Sequence, residues 1–196
     1  MSGSDTLARS LLDLCRGRKL TLATAESCTG GLVAAALTDI PGSSDVIDRG
    51  FVTYSNDAKR AMLGVDASTL ATFGAVSKET ATQMAVGALE RAGTDLAVAI
   101  TGIAGPGGAV PGKPVGLVHF AVAARDGRIV NRECRFGAIG RRAVRQRSVV
   151  EALRMVMEMA RGPKAAKPKR AAASRTRPRV ARSPRRHTAK GRRPRG

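Results

Sequence analysis

The segment Asp95–Thr101 (DLAVAIT) constrains the fold most, because it is an almost wholly apolar run followed by a Gly/Pro-rich stretch. Such a run is typical of a strand in a sheet that is covered on both faces. Other short apolar runs bounded by turn residues predict further strands. They are Leu20–Ala25, Arg49–Tyr54, and a hairpin of Gly116–Ala123 and Arg128–Phe136.

Amphipathic segments with helical spacing alternate with these strands. Ser77 is the expected N-cap of one helix and Gly93 its stop. A second helix is expected to open at Ser27–Thr29, with Gly30 and Gly31 in its first turn. The other predicted helices are 5–17, Asn56–Leu63 and about Arg141–Arg161. Strands that alternate with helices and end in a hairpin predict an α/β layered domain with a mixed sheet.

The charge of the chain is unevenly distributed. All 15 acidic residues lie between Asp5 and Glu158, whereas residues 164–196 hold 14 Lys or Arg and no acid. The net charge of +19 therefore comes mostly from the C-terminal end. We predict a folded domain over residues 1–162 and a disordered Lys/Arg/Pro/Ala-rich tail over 163–196, because the tail has too little apolar surface to offset its ordering entropy. Such a polycation predicts salt-sensitive, non-specific contact with nucleic acid.

The remaining composition excludes several protein classes. Three cysteines without a pairing pattern favour a reduced, cytoplasmic protein over a disulfide framework. The polar N-terminus is unlike a signal peptide, and no apolar run approaches the ~18 residues that span a bilayer. The sequence contains no cluster of Cys or His residues that would indicate a metal site.

Three polar clusters follow predicted strands, where ligands bind in open α/β sheets. They are Glu26–Gly31, Tyr54–Lys59 and Thr101–Gly108. The first is predicted to sit at a helix N-terminus, whose free N–H groups suit a phosphate or an oxyanion. Ser27 is alternatively a plain N-cap. Two glycines inside a first helical turn cost ~1 kcal/mol each relative to alanine, which favours close approach of a ligand or another backbone segment.

Ser27 and Lys59 are candidates for a nucleophile and its base. Lys59 can act as a base only if burial or neighbouring cations remove its proton, and the alternative is an ordinary solvated lysine. Cys28 is a rival nucleophile without an evident His partner, and His119 is expected to be structural. Tyr54 is alternatively a packed strand-end residue, and the glycine-rich third cluster is alternatively a flexible linker.

Taken together, these motifs resemble the C-terminal domain of the CinA family from about Leu7 to Met159. The resemblance rests on AESCTGG (25–31), GFVTYSNDAK (50–59), GAVS (74–77), TGIAGPGG (101–108) and KPVGLV (113–118). It implies a three-layer α/β/α sandwich and a homo-oligomer. It also implies a nicotinamide-nucleotide amidohydrolase of pyridine-nucleotide salvage, which converts nicotinamide mononucleotide and water to nicotinate mononucleotide and ammonia. This scheme needs neither a metal nor another cofactor.

The resemblance also implies roles for matching residues. Ser27 is the expected nucleophile, Lys59 its general base, Tyr54 an assisting group, and Thr101 a contact to the carboxamide or the nucleophile. Three arginines at the start of the last helix are candidate phosphate ligands, or alternatively part of a solvated helix face. The expected substrate-binding residues are Glu26, Cys28, Thr29, Gly30, Gly31, Gly102, Gly105, Gly107, Arg141, Arg142 and Arg145. The competing hypothesis is a non-catalytic domain that binds a nucleotide or another partner.

Overall fold

The computed structural model describes residues 3–162, so the predicted basic tail lies outside the described residues. Five strands form one sheet in the order β2-β1-β3-β4-β5. The strands are β1 Leu22–Glu26, β2 Ile47–Val52, β3 Leu96–Gly102, β4 Leu117–Ala124 and β5 Ile129–Arg135. The helices are α1 Gly3–Arg18, α2 Leu32–Thr38, α3 Asn56–Leu63, α4 Ala67–Phe73, α5 Lys78–Ala92 and α6 Arg141–Arg161.

The sheet is mixed, as predicted from the sequence. Strands β1, β2 and β3 run parallel, and the hairpin of β4 and β5 continues the sheet in antiparallel fashion. Glu26, the last residue of β1, pairs with Val52 on one side and Ile100 on the other. The carboxyl ends of all three parallel strands therefore lie at one edge of the sheet.

The two faces of the sheet carry side chains of different size. The face toward α5 is built of alanines, and the opposite face carries larger side chains such as Val98, Ile100 and Phe120 against α6. The alanines on the α5 face are Ala23, Ala25, Ala97, Ala99, Ala121 and Ala123. Since alanine projects little beyond the backbone, α5 packs close to the sheet. The result is a three-layer α/β/α sandwich, which confirms the predicted fold class.

Local capping explains where several helices begin. Ser55 caps α3, and its Oγ accepts a hydrogen bond from the Ala58 N–H at 3.0 Å. Ser77 caps α5 in the same way through the Thr80 N–H at 3.1 Å. Both caps are consistent with the preference for serine at this position. Within residues 3–162, no helix combines the length and apolar character that crossing a membrane requires.

The prediction for the start of α2 is wrong. The helix begins at Leu32, and Gly30 and Gly31 precede it with φ angles of +58° and +94°. These left-handed conformations are incompatible with a helical turn and favour glycine, so the two residues form a turn rather than a helix. Helix α4 was not predicted from the sequence either.

Candidate active site

The three polar clusters meet at one edge of the sheet because they follow the parallel strands β1, β2 and β3. Ser27 directly follows β1, and its N–H donates to the Ile100 carbonyl of β3 at 2.9 Å. The Thr53 N–H donates to the Glu26 carbonyl at 2.8 Å, which extends the pairing of β1 and β2. These backbone bonds hold the residues after the strands in fixed positions.

Ser27 and Lys59 are in direct contact. Lys59 Nζ donates a hydrogen bond to Ser27 Oγ at 3.1 Å and another to the Thr53 carbonyl at 2.8 Å. Lys59 lies one turn inside α3, so the capped start of that helix directs its side chain back toward β1. The residue is 1% exposed, and this burial lowers the pKa of Lys59 below its ordinary value. The geometry suits proton transfer between a hydroxyl and a neutral amine.

Glu26 uses its carboxylate to cap α2. The side chain is fully buried and accepts hydrogen bonds from the N–H groups of Gly31, Val33 and Ala34 at 2.8–3.0 Å. Of these N–H groups, that of Gly31 belongs to the predicted anion site of the first cluster, and the carboxylate already occupies it. The N-terminus of α2 itself is therefore filled by a carboxylate of the protein.

The other N–H groups of the loop differ in whether another residue accepts from them. The Gly30 N–H donates to the Ser27 carbonyl at 3.0 Å, and the Leu32 N–H donates to the Thr29 carbonyl at 3.3 Å. Within residues 3–162, the N–H groups of Cys28 and Thr29 donate to no other residue. An N–H group on the residue after a nucleophile is a common oxyanion donor, as in nucleophile elbows.

Cys28 is a poor alternative nucleophile. Its side chain is 5% exposed, and burial raises the pKa of the Cys28 thiol to about 12. The thiol is therefore protonated at neutral pH, whereas only the thiolate is a strong nucleophile. Ser27 is the better candidate in this loop.

Arg141 connects the second and third polar clusters. Its Nη2 donates to the hydroxyl of Tyr54 at 2.8 Å, and its Nη1 donates to the carbonyl of Gly105 at 3.2 Å. Tyr54 is 62% exposed, so the alternative of a packed strand-end ring does not hold. The guanidinium thus lies beside an exposed aromatic ring and the glycine-rich loop.

Thr101 and the glycines of the third cluster have structural contacts. Thr101 Oγ1 donates to the Ala75 carbonyl at 2.7 Å and so fixes the loop before α5. A Cβ on Gly102 would lie 2.7 Å from the Leu117 carbonyl oxygen, and a Cβ on Gly105 would lie 2.6 Å from a methyl group of Val115. Close packing therefore accounts for both glycines. Gly107 is exposed, and a Cβ there would meet no neighbour.

The arginines of α6 differ in their surroundings. Arg145 Nη2 donates to the Thr29 carbonyl at 2.8 Å, which brings this side chain onto the loop after Ser27. Arg142 is exposed, and within the described part of the chain its side chain makes no hydrogen bond or ion pair. The described residues also contain no group of three His, Cys, Asp or Glu that could hold a metal.

Sequence reasoning did not find the backbone carbonyl groups of the site. The Thr53 carbonyl binds Lys59, and the Ala75 carbonyl binds Thr101. Every residue has a carbonyl group, so residue types carry no signal for this role. The capping role of Glu26 has one weak signal, a carboxylate a few residues before a helix start.

Residues 4–160 match the family described as the CinA C-terminal domain. The chain belongs to this family. A CinA-like protein of Mycolicibacterium gilvum is 55% identical over 136 residues, or 69% of this chain and 32% of that protein. The chain spans about a third of that relative and of others like it, such as the Chlorobium phaeovibrioides protein, of which it covers 29%.

Another family member has a more specific name. The nicotinamide-nucleotide amidohydrolase PncC of Enterobacter agglomerans is 52% identical over 133 residues, which cover 68% of this chain and 80% of that protein. Among solved structures, the competence/damage inducible protein CihA of Agrobacterium tumefaciens superposes with a TM-score of 0.80 at 55% identity. That match covers 81% of this chain and 96% of the other.

Proposed function

We propose that this chain is a nicotinamide-nucleotide amidohydrolase that converts nicotinamide mononucleotide to nicotinate mononucleotide and ammonia. The observation that carries the proposal is the contact between Ser27 Oγ and the almost fully buried Lys59 Nζ at 3.1 Å. The name of the Enterobacter agglomerans relative supports the choice of substrate.

In the proposed first step, the neutral amine of Lys59 takes the proton of the Ser27 hydroxyl while Oγ attacks the carboxamide carbon. The carbonyl oxygen becomes an oxyanion, which the N–H groups of Cys28 and Thr29 stabilise. Donors placed in this way are typically a large contribution to catalysis. The C–N bond then breaks, and the Lys59 ammonium protonates the leaving nitrogen, so ammonia departs and an ester with Ser27 remains.

In the second step, water hydrolyses this ester. Lys59, neutral again, takes a proton from the water that attacks the ester carbon. The C–O bond to Ser27 breaks, Oγ recovers a proton from Lys59, and nicotinate mononucleotide leaves. The sum is one amide and one water converted to one acid and one ammonia. Thr101 positions the loop before α5 beside this site through the Ala75 carbonyl.

We propose that the phosphate of the substrate binds near the start of α6. Arg141 is held between Tyr54 and the Gly105 carbonyl, and Arg142 is exposed on the same turn of the helix. A guanidinium suits phosphate because its fork of donors matches the phosphate oxygens. Gly107, exposed in the neighbouring loop, leaves space for a ribose phosphate.

The function is tested by incubating the purified full chain with nicotinamide mononucleotide and measuring ammonia and the nucleotide products. We expect one ammonia and one nicotinate mononucleotide for each substrate molecule consumed, and the Ser27→Ala chain, purified in parallel, gives the background. Saturable binding of the mononucleotide without ammonia release would instead favour the non-catalytic, nucleotide-binding alternative.

The basic segment 163–196 is proposed to be a separate accessory unit that contacts nucleic acid through its 14 positive charges. Lys and Arg release counterions from a phosphate backbone, so this binding weakens steeply as salt rises. We expect the full chain to be retained on double-stranded DNA at about 50 mM salt and released at about 200 mM. A chain that ends at Gly162 is the control, and equal retention of both chains would contradict the proposal.

A reducing compartment, the cytoplasm, is the proposed location. Cys15 and Cys28 are buried free thiols, and Cys134 is also unpaired.

A homo-oligomer is likewise proposed. Its support is β5, which lies at an edge of the sheet with Ile129 and Val130 exposed.

A further inference from the structure

Arg145 contacts the backbone of the Ser27 loop. Its Nη2 donates to the Thr29 carbonyl at 2.8 Å, and a Cβ on Gly30 would lie only 3.4 Å from the same nitrogen. Its Nε is buried without a hydrogen-bond partner, and no acidic side chain within residues 3–162 forms an ion pair with the guanidinium. The charge of Arg145 therefore acts mainly on this loop.

The Thr29 carbonyl is the first group of a hydrogen-bonded chain that leads to the candidate oxyanion site. It shares a peptide unit with the Gly30 N–H, which donates to the Ser27 carbonyl at 3.0 Å. The Ser27 carbonyl in turn shares a peptide unit with the Cys28 N–H. Two peptide units thus connect the guanidinium to an N–H group that donates to no other residue among those described.

Hydrogen bonds in such a chain strengthen one another. A donor at a carbonyl oxygen draws electron density from its peptide unit and makes the N–H of that unit a stronger donor. A charged donor at the start of the chain has the largest effect, because charge-assisted hydrogen bonds are about twice as strong as neutral ones. The direction of both bonds carries this polarisation from Arg145 to Cys28.

We propose that Arg145 is a positioning residue that orients and polarises the Cys28 N–H as an oxyanion donor. This inference rests on the proposed amidohydrolase function. Arg145 acts through the backbone and touches neither substrate nor nucleophile. It stabilises the tetrahedral intermediate, in which negative charge has developed, more than the bound substrate.

This role differs from the phosphate contact that the sequence suggested for Arg145. The nitrogen Nη2 is engaged by the Thr29 carbonyl, and Nε is buried, so these two nitrogens do not form an open fork for a phosphate. Arg141, by contrast, lies beside the exposed side chain of Tyr54. The two arginines are therefore separable by experiment, because a phosphate ligand affects binding and an oxyanion-positioning residue affects turnover.

The test compares Arg145→Met, Arg145→Gln and Arg145→Lys in the full chain, with Arg154→Met as the control for an exposed arginine on the same helix. For each protein, kcat and KM for nicotinamide mononucleotide, the inhibition constant of ribose 5-phosphate and the melting temperature are measured. Arg145→Met is expected to lower kcat about 10- to 100-fold, less than the 10²–10³-fold typical of losing a whole oxyanion donor. KM and the inhibition constant are expected to stay within about twofold, because neither reports on the oxyanion.

The other variants separate charge from hydrogen bonding. Arg145→Gln retains a neutral donor, and its kcat is expected to lie between those of Arg145→Met and the wild type. Arg145→Lys retains the charge and is expected to recover most of kcat, and Arg154→Met is expected to match the wild type.

Three outcomes would overturn the inference. The first is an unchanged kcat in folded Arg145→Met. The second is a rise of KM and of the ribose 5-phosphate inhibition constant in Arg145→Met at constant kcat. The third is a kcat of Arg145→Lys as low as that of Arg145→Met. If Arg145→Met does not fold, the comparison of the glutamine and lysine variants decides. A wild-type chain that releases no ammonia would instead refute the proposed function and, with it, this inference.

Discussion

Replacing Lys59 by methionine is expected to lower kcat for nicotinamide mononucleotide about 10³-fold or more, the upper part of the range for loss of a general acid–base group. Ser27→Ala is expected to lower kcat at least as much. The double variant of Ser27→Ala and Lys59→Met is expected to lower kcat little more than either change alone, because the two groups act as one unit. Ammonia release under saturating substrate measures all three. Lys78→Met, at an exposed position on α5, is the control and is expected to keep full activity.

The same lysine predicts how activity depends on pH. Lys59 acts as a base only when neutral, so kcat/KM is expected to rise with pH through the pKa of Lys59 and then level off. Burial lowers that pKa, so the rise is expected below pH 10.4, the ordinary lysine value. Lys59→Met would have no such rise. A pH-independent profile for the wild type, or wild-type turnover by Lys59→Met, would refute the role of this residue as the base.

Stability provides a second test of the buried amine. Between the lowered pKa of the folded chain and the value of ~10.4 in the unfolded chain, the unfolded state binds more protons at Lys59. The free energy of unfolding therefore increases with pH across this window through Lys59. Lys59→Met removes this contribution, so we expect it to be more stable than the wild type at neutral pH, with a smaller difference near pH 10. Urea denaturation at several pH values measures the effect and shows that the inactive variant is folded.

Gly87→Ala is expected to lower the free energy of unfolding by about 3 kcal/mol or more, at the upper end of overpacking effects. Gly87 lies in α5 where the C-terminal end of α3 crosses it, and a Cβ there would lie 1.8 Å from the Leu63 carbonyl oxygen. The Leu63 backbone cannot rotate away as a side chain can, so one helix must move. Because α3 carries Lys59, we also expect kcat to fall in the folded fraction.

Gly17→Ala is the matched control for this prediction. Gly17 is an exposed position in α1, and a Cβ there would meet no atom within 4 Å. The same substitution is expected to raise the free energy of unfolding by about 0.5–1 kcal/mol, because alanine favours the helix more than glycine does. Urea denaturation of both variants checks the pair. A Gly87→Ala protein as stable as the wild type would show that the two helices are not held at this distance.

Much of the fold was predictable because the signals are local. Helix α3 begins where Ser55 can cap it. Strand β3 begins one residue later and ends one residue later than the apolar run Asp95–Thr101. Gly30 and Gly31 were misassigned because glycine is compatible with both a strained helix start and a left-handed turn, and only the φ angles distinguish them. Glu26 was grouped with substrate ligands because sequence spacing does not show that its carboxylate bends back onto α2.

By itself, the sequence determined the order of the strands and of every helix except α4, the edge at which the polar clusters gather, and the family, since each follows from residue types at short spacing. Only the tertiary structure decided that Lys59 is buried against Ser27, that Arg145 acts on the loop backbone, and that Gly87 touches α3. The two hydrogen-bonded contacts join residues that lie far apart along the chain: Ser27 and Lys59 are 32 positions apart, and Thr29 and Arg145 are 116 positions apart. Their energies depend on burial and on backbone groups that every residue has, and neither property is encoded in residue type alone.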